Sequence, residues 1–209
     1  MISHRRKSLP SSLAALRRAA AGCEACELYR CGTQTVFGEG PKHATFFFVG
    51  EQPGAQEDRT GRPFVGPSGV LLRRALREAE IDERDSYVTN AVKHFRWTLR
   101  GTRKLHQSPL IRHIKACHPW LIAELEQVHP EMLIGLGATA AYALLGKRVK
   151  LGSVRGQVLS SEQGIKTILT VHPSSLLRIP EPEARHQAYR RFVSDLKLAR
   201  QAVEKRKAG

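Results

Sequence analysis

Residues 44–50 read Ala-Thr-Phe-Phe-Phe-Val-Gly, the plainest buried-strand signal in the chain. It is apolar throughout rather than alternating, and a glycine ends it. That pattern predicts a strand covered on both faces, as in a parallel sheet. Three further runs read as strands: residues 86–92 (SYVTNAV), 131–136 (EMLIGL) and 166–171 (KTILTV). Helical spacing fills the intervals. Residues 67–81 place Leu71, Leu72, Ala75, Leu76 and Ala79 on one side. Ser108 and Pro109 suit an N-cap and first turn, with Pro119 restarting or kinking the helix before Val128. A helix over 138–145 is closed by Gly146, and a long basic helix occupies 184–203. Ser11 or Ser12 caps a short helix to Ala21. Residues 93–115 read as an irregular basic loop, and 150–161 as an extended segment with a turn. Strands alternating with helices give an α/β sandwich around a mostly parallel sheet.

The chain has 209 residues, 41% of them hydrophobic, enough for one sizeable core. The expected organisation is a basic tail over residues 1–10 and one domain over 11–209. No apolar run approaches the ~20 residues that span a bilayer. The basic N-terminus leads into no apolar signal core, so a cytoplasmic protein is expected. A formal net charge of +15 calls for a polyanionic partner, nucleic acid first. Residues 93–115 hold seven Lys or Arg and no Asp or Glu, with Phe95 and Trp97 among them. Such interleaving suits phosphates and stacked bases, the plainer alternative being a solvated basic loop. Of the four cysteines, Cys23, Cys26, Cys31 and Cys117, three fall within nine residues. Without a signal peptide, metal or cluster binding explains them better than disulfides.

In open α/β sheets ligands bind beyond the carboxyl ends of the strands. Three polar clusters stand at such ends: Glu51-Gln52, Asn90 and His172. Phe64 sits between glycines and prolines that would fix its loop. After His172, Ser174, Ser175 and Arg178 offer hydroxyls and a guanidinium suited to a phosphate. The segment 135–140 (GLGATA) imitates a dinucleotide fingerprint, but no acid follows ~20 residues on to hold a ribose. It reads instead as close strand–helix packing.

Together, the runs GEQPG–QED, GRPFVGPSG, YVTNAVKH and HPSSLLR closely resemble the family 4 uracil-DNA glycosylases, and more narrowly their UdgX-type relatives. The resemblance extends from about residue 23 to about residue 196. It implies a three-layer sandwich with a four-stranded mostly parallel sheet, a 4Fe–4S cluster, and excision of uracil from single- or double-stranded DNA. Carried over by position, Glu51 and His172 are catalytic, Phe64 stacks on uracil, and Asn90 bonds its polar edge. Gln52, Ser174 and Arg178 join the substrate site, and Lys93, Arg103 and Lys104 hold the DNA backbone. The narrower likeness rests on two features. His94 stands where the broader family has a cluster cysteine. Thr102-Arg103-Lys104-Leu105-His106 matches a basic loop of the form Lys-Arg-Arg-Ile-His, without its first Lys. The resemblance thus implies Cys23, Cys26, His94 and Cys117 as cluster ligands, with Cys31 the alternative favoured by composition and zinc the chemical rival. It also implies that His106, rather than water, captures the sugar, which would make the protein a single-turnover trap. A conventional turnover glycosylase and a non-catalytic iron–sulfur DNA-binding protein are the alternatives, and a monomer is expected.

Overall fold

The computed structural model describes residues 9–207, so most of the basic tail read over 1–10 lies outside the described residues. In chain order the elements are α1 (Leu13–Ala20), β1 (Phe46–Gly50), α2 (Ala55–Thr60), α3 (Pro67–Glu78), β2 (Ser86–Asn90), β3 (Trp97–Arg100) and β4 (Arg103–His106). There follow α4 (Ile111–Val128), β5 (Met132–Leu136), α5 (Ala138–Leu145), α6 (Leu151–Val154), β6 (Val158–Ser160), β7 (Lys166–Thr170), α7 (Pro173–Leu177) and α8 (Pro182–Lys207).

The main sheet has the order β2-β1-β5-β7-β6. Its four parallel strands are the four runs read from the sequence. The expected count of four is corrected to five by β6, an antiparallel edge strand paired with β7. Its three residues are exposed or half-buried, so it lacks the apolar run that marks the others. In β1, Phe46 and Phe48 face a core shared with Leu72, Leu76, Phe192 and Leu196 of α3 and α8. Phe47 and Val49 face the opposite core, with Leu121 and Leu125 of α4 and Leu144 of α5. The period-two alternation of a strand thus feeds two apolar layers at once, which explains why the run is continuous. The architecture is the three-layer α/β sandwich expected.

Three local expectations are corrected. The stretch read as an irregular loop contains a two-stranded antiparallel hairpin, β3–β4, with Arg100 opposite Arg103. Gly101, at the first loop position, takes φ 58°, as tight hairpin turns require. Ser108 does not cap α4. Leu110 is the cap residue, and its N–H donates to His113 Nδ1 at 3.1 Å. Pro119 does not interrupt α4. Ile114, Cys117, Leu121, Leu125 and Val128 bury one face across it, outweighing the ~3 kcal/mol a helix-interior proline costs.

Candidate active site

The carboxyl ends of β1, β2, β5 and β7 open into a cleft of about 940 Å³, lined by Glu51, Gln52, Phe64, Asn90, His106, His172, Ser174 and Arg178 among others. The expected base-handling and catalytic residues are therefore brought together, including the His106 imidazole from outside the main sheet.

The floor is built by close approach. Gly50 ends β1 beside Asn90 of β2, and a Cβ there would lie 2.3 Å from Asn90 Oδ1 and 2.7 Å from the Phe64 ring. Only hydrogen at this position lets the amide and the ring meet. Phe64 holds φ 55°, a strained value for an aromatic residue, with its ring centroid 6.2 Å from that of His172. Glu57 braces the loop between them. Its buried carboxylate accepts from Gly54 N–H at 3.0 Å and Gly66 N–H at 2.7 Å. Sequence reasoning gave Glu57 no role. The capping position at the start of α2 was the signal that could have found it.

His172 caps α7. Its Nδ1 accepts Ser174 N–H at 3.2 Å, and a backbone amide can only donate, so the ring proton belongs on Nε2. Burial pushes its pKa down to about 4, and nearby His106 and Arg178 push the same way. At neutral pH it is therefore an uncharged donor aimed into the cleft. Arg178 Nη1 donates to Ser174 Oγ at 3.3 Å, so Ser174 and Arg178 support the imidazole as well as line the site.

His106 ends β4 opposite Trp97. Its Nε2 lies 3.5 Å from Glu51 Oε1, and its ring stands 6.0 Å from that of buried Phe95. Burial lowers its pKa below the usual histidine value, with Arg178 in support and Glu51 opposing. Gln52 plays an unexpected part. Besides lining the cleft, its amide donates to the carbonyls of Arg96 (3.1 Å) and Gln107 (3.0 Å) and accepts from Arg96 N–H (3.1 Å). The buried amide thus grips both feet of the hairpin that carries His106.

The basic residues divide. Arg103 is exposed on β4. Lys104 Nζ lies 4.4 Å from the Trp97 ring centroid and 3.9 Å from Asp58. Lys93 stands inside the protein rather than on the basic surface expected to hold DNA, which corrects that placement. Only 1% exposed, it donates to Glu124 (2.5 Å), Thr89 Oγ1 (2.6 Å) and the Asn90 carbonyl (2.9 Å).

The cysteines meet in part. Cys26 and Cys117 share a hydrogen bond that lowers Cys26 to about 6 and, with burial, raises Cys117. Lys93 N–H donates to Cys117 Sγ at 3.5 Å, and Trp120 Nε1 to Cys23 Sγ at 3.2 Å. N–H groups directed at sulfur suit thiolates that ligate iron. His94 is buried, with its ring edge against Gly32. Cys31 is exposed. Among the described residues no three His, Cys, Asp or Glu side chains stand close enough to hold a single metal ion, whereas a cluster spreads its ligands farther apart. The thiols and their donors fit such a group. No helix among the described residues is long and apolar enough to cross a membrane.

Comparison with known proteins agrees with this fold. Residues 37–197 match the model of the uracil DNA glycosylase superfamily. The chain is 39% identical to the type-4 uracil-DNA glycosylase of Thermotoga maritima, over 88% of this chain and 90% of that protein. Against the type-4 uracil-DNA glycosylase of Pyrobaculum aerophilum the identity is 35%, over 76% and 81% respectively. The type-4 enzyme of Archaeoglobus fulgidus is 29% identical, over 83% of this chain and 87% of its own. A matched span covering the whole main sheet and the cleft, with these relatives aligned over three quarters or more of the chain, places the chain in the uracil DNA glycosylase superfamily, alongside its type-4 members.

Proposed function

We propose that this chain excises uracil from DNA and then bonds, through His106, to the abasic sugar it has made. The observation that carries the reading is the facing pair of His106 and Glu51, 3.5 Å apart, in the cleft walled by Phe64, Asn90 and His172. The target uridine must leave the stack or arrive single-stranded, and the exposed Arg103 and Lys104 hold its backbone. Phe64 stacks on the ring and Asn90 bonds its edge. Cytosine would bring an amino group where the site expects a carbonyl.

As the N-glycosidic bond breaks, its electron pair leaves with the base. His172, uncharged, donates its Nε2–H to the carbonyl that gains charge. Glu51 faces the positive sugar. One nitrogen of neutral His106 gives its lone pair to C1′, forming the C–N bond. The other ring nitrogen releases its proton, with Glu51 the nearest base, balancing the proton that uracil takes up. The imidazole–sugar bond has a poor leaving group, so the product persists.

Mixing the protein with a uracil-containing oligonucleotide should release one uracil per protein and leave a DNA–protein band on a denaturing gel. His106 must be uncharged to attack. Trapping should therefore hold at neutral pH and be lost as the medium is made acidic, since burial keeps the folded imidazole below the usual histidine value. His172, at about 4, stays neutral through that fall. Uracil release with no band would make the protein a recycling glycosylase, and no release would remove the activity altogether.

Cys23, Cys26, Cys117 and His94 would hold a 4Fe–4S cluster, which supplies a covalent staple between the N-terminal segment and α4. Anaerobically purified protein should be brown and contain iron and sulfide in equal amounts. Colourless protein with stoichiometric zinc would overturn this assignment.

A further inference from the structure

We infer that Thr139 is the positioning residue of the trapping step: its hydroxyl fixes one oxygen of Glu51 so that the other faces His106. This deepens the reading above and rests on it.

Thr139 is the second residue of α5, within the segment that resembles a dinucleotide fingerprint. The backbone just before it is fixed by Gly137 N–H, which donates to the Thr170 carbonyl of the neighbouring strand at 2.8 Å. A β-branched side chain on a fixed backbone has little freedom at χ1. Thr139 Oγ1 lies 2.8 Å from Glu51 Oε2 and must be the donor, because a carboxylate only accepts. Glu51 Oε1 is thereby left toward His106 Nε2. Among the described residues Thr139 is the one hydrogen-bond donor to this carboxylate, and His106 its one ion-pair partner.

The torsion that turns a carboxylate is broad and soft, so an unheld Glu51 samples orientations in which neither oxygen meets the imidazole. Base release draws on His172, the cleft walls and the negative charge of Glu51, which either orientation of its carboxylate supplies, and does not need this alignment. Capture of the sugar by His106 does, because the attacking ring must shed a proton. Losing the hydroxyl should therefore shift the fate of the sugar from imidazole toward water, while uracil still departs.

The experiment uses full-length protein and a single-turnover reaction on a uracil oligonucleotide, counting uracil released and DNA held in the gel-stable band. Thr139→Val keeps the shape and removes the donor. It should lower the ratio of trapped DNA to released uracil by roughly ten-fold, the scale of one hydrogen bond to a charged group. Thr139→Ser, which restores the hydroxyl, should return the ratio to within about two-fold of the parent. An unchanged ratio in Thr139→Val sinks the inference while leaving the trap intact. A Thr139→Ser as poor as Thr139→Val sinks it too, since packing rather than donation would then be responsible. Parent protein that forms no band refutes the trapping reading itself, and this inference falls with it.

Discussion

Replacing His106 with Ala should abolish the gel-stable DNA–protein band while uracil release continues. The two outcomes separate because the groups that break the bond and the group that captures the sugar occupy different elements. His172 and Asn90 stand at the ends of β7 and β2, whereas His106 ends β4 of the hairpin. Removing the imidazole takes away the nitrogen nucleophile that faces Glu51 and opens space for water near that carboxylate. Water capture leaves a free abasic site, so the variant should turn over, releasing more than one uracil per protein. The ratio of uracil to protein after long incubation reads this directly. A band of unchanged intensity in His106→Ala would mean that another side chain bonds the sugar.

The second large effect concerns stability. Lys93→Met should destabilise the protein by about 3–5 kcal/mol, because it leaves a buried carboxylate without its counter-charge. Glu124 is fully buried and accepts from Gly38 N–H (2.8 Å), Tyr87 Oη (3.1 Å), Thr89 Oγ1 (3.0 Å) and Lys93 Nζ (2.5 Å). With Lys93 gone the remaining donors are neutral. For a chain of this size the melting temperature should fall by roughly 6–20 °C. The double variant Lys93→Met with Glu124→Leu should recover much of that loss, since a pair of apolar side chains removes the charge together with its partner. Additive losses in a double-mutant cycle would show that the two side chains do not act as a unit. Lys93 also donates to the Asn90 carbonyl, so base binding should weaken in the single variant even where it remains folded.

The four strand runs could be read because burial on both faces keeps strongly polar positions few, and the small polar ones, such as Thr89 and Thr167, still suit a strand. The helices that pack on them could be read from their spacing. The edge strand β6 could not, since Val158 and Ser160 are exposed and carry no burial signal. The hairpin was obscured for a similar reason: β4 is exposed throughout, and its pairing is encoded in the two-residue turn at Gly101-Thr102 rather than in hydrophobicity. At the site, strand-end logic located Glu51, Asn90 and His172 without any relative. Lys93 was misjudged because a lysine within a basic stretch reads as solvated, and its burial depends on Glu124, 31 residues away. The grip of Gln52 on the hairpin was not legible because its backbone partners lie 44 and 55 residues away. Thr139 was part of a segment read for its glycines, and a hydroxyl's partner 88 residues distant leaves no local trace.

The ribbon formed by β3 and β4 is a sheet of its own, paired strand to strand and tethered to the body by Gln52 and by Trp97 Nε1, which donates to the Cys31 carbonyl at 2.9 Å. On the reading proposed, the power to cleave and the decision to remain attached have separate structural addresses. Drift confined to residues 97–106 would alter the destiny of the product while sparing the scaffold that every relative needs in order to fold. A lineage could in this way pass between a recyclable catalyst and a suicide reagent without rebuilding its core.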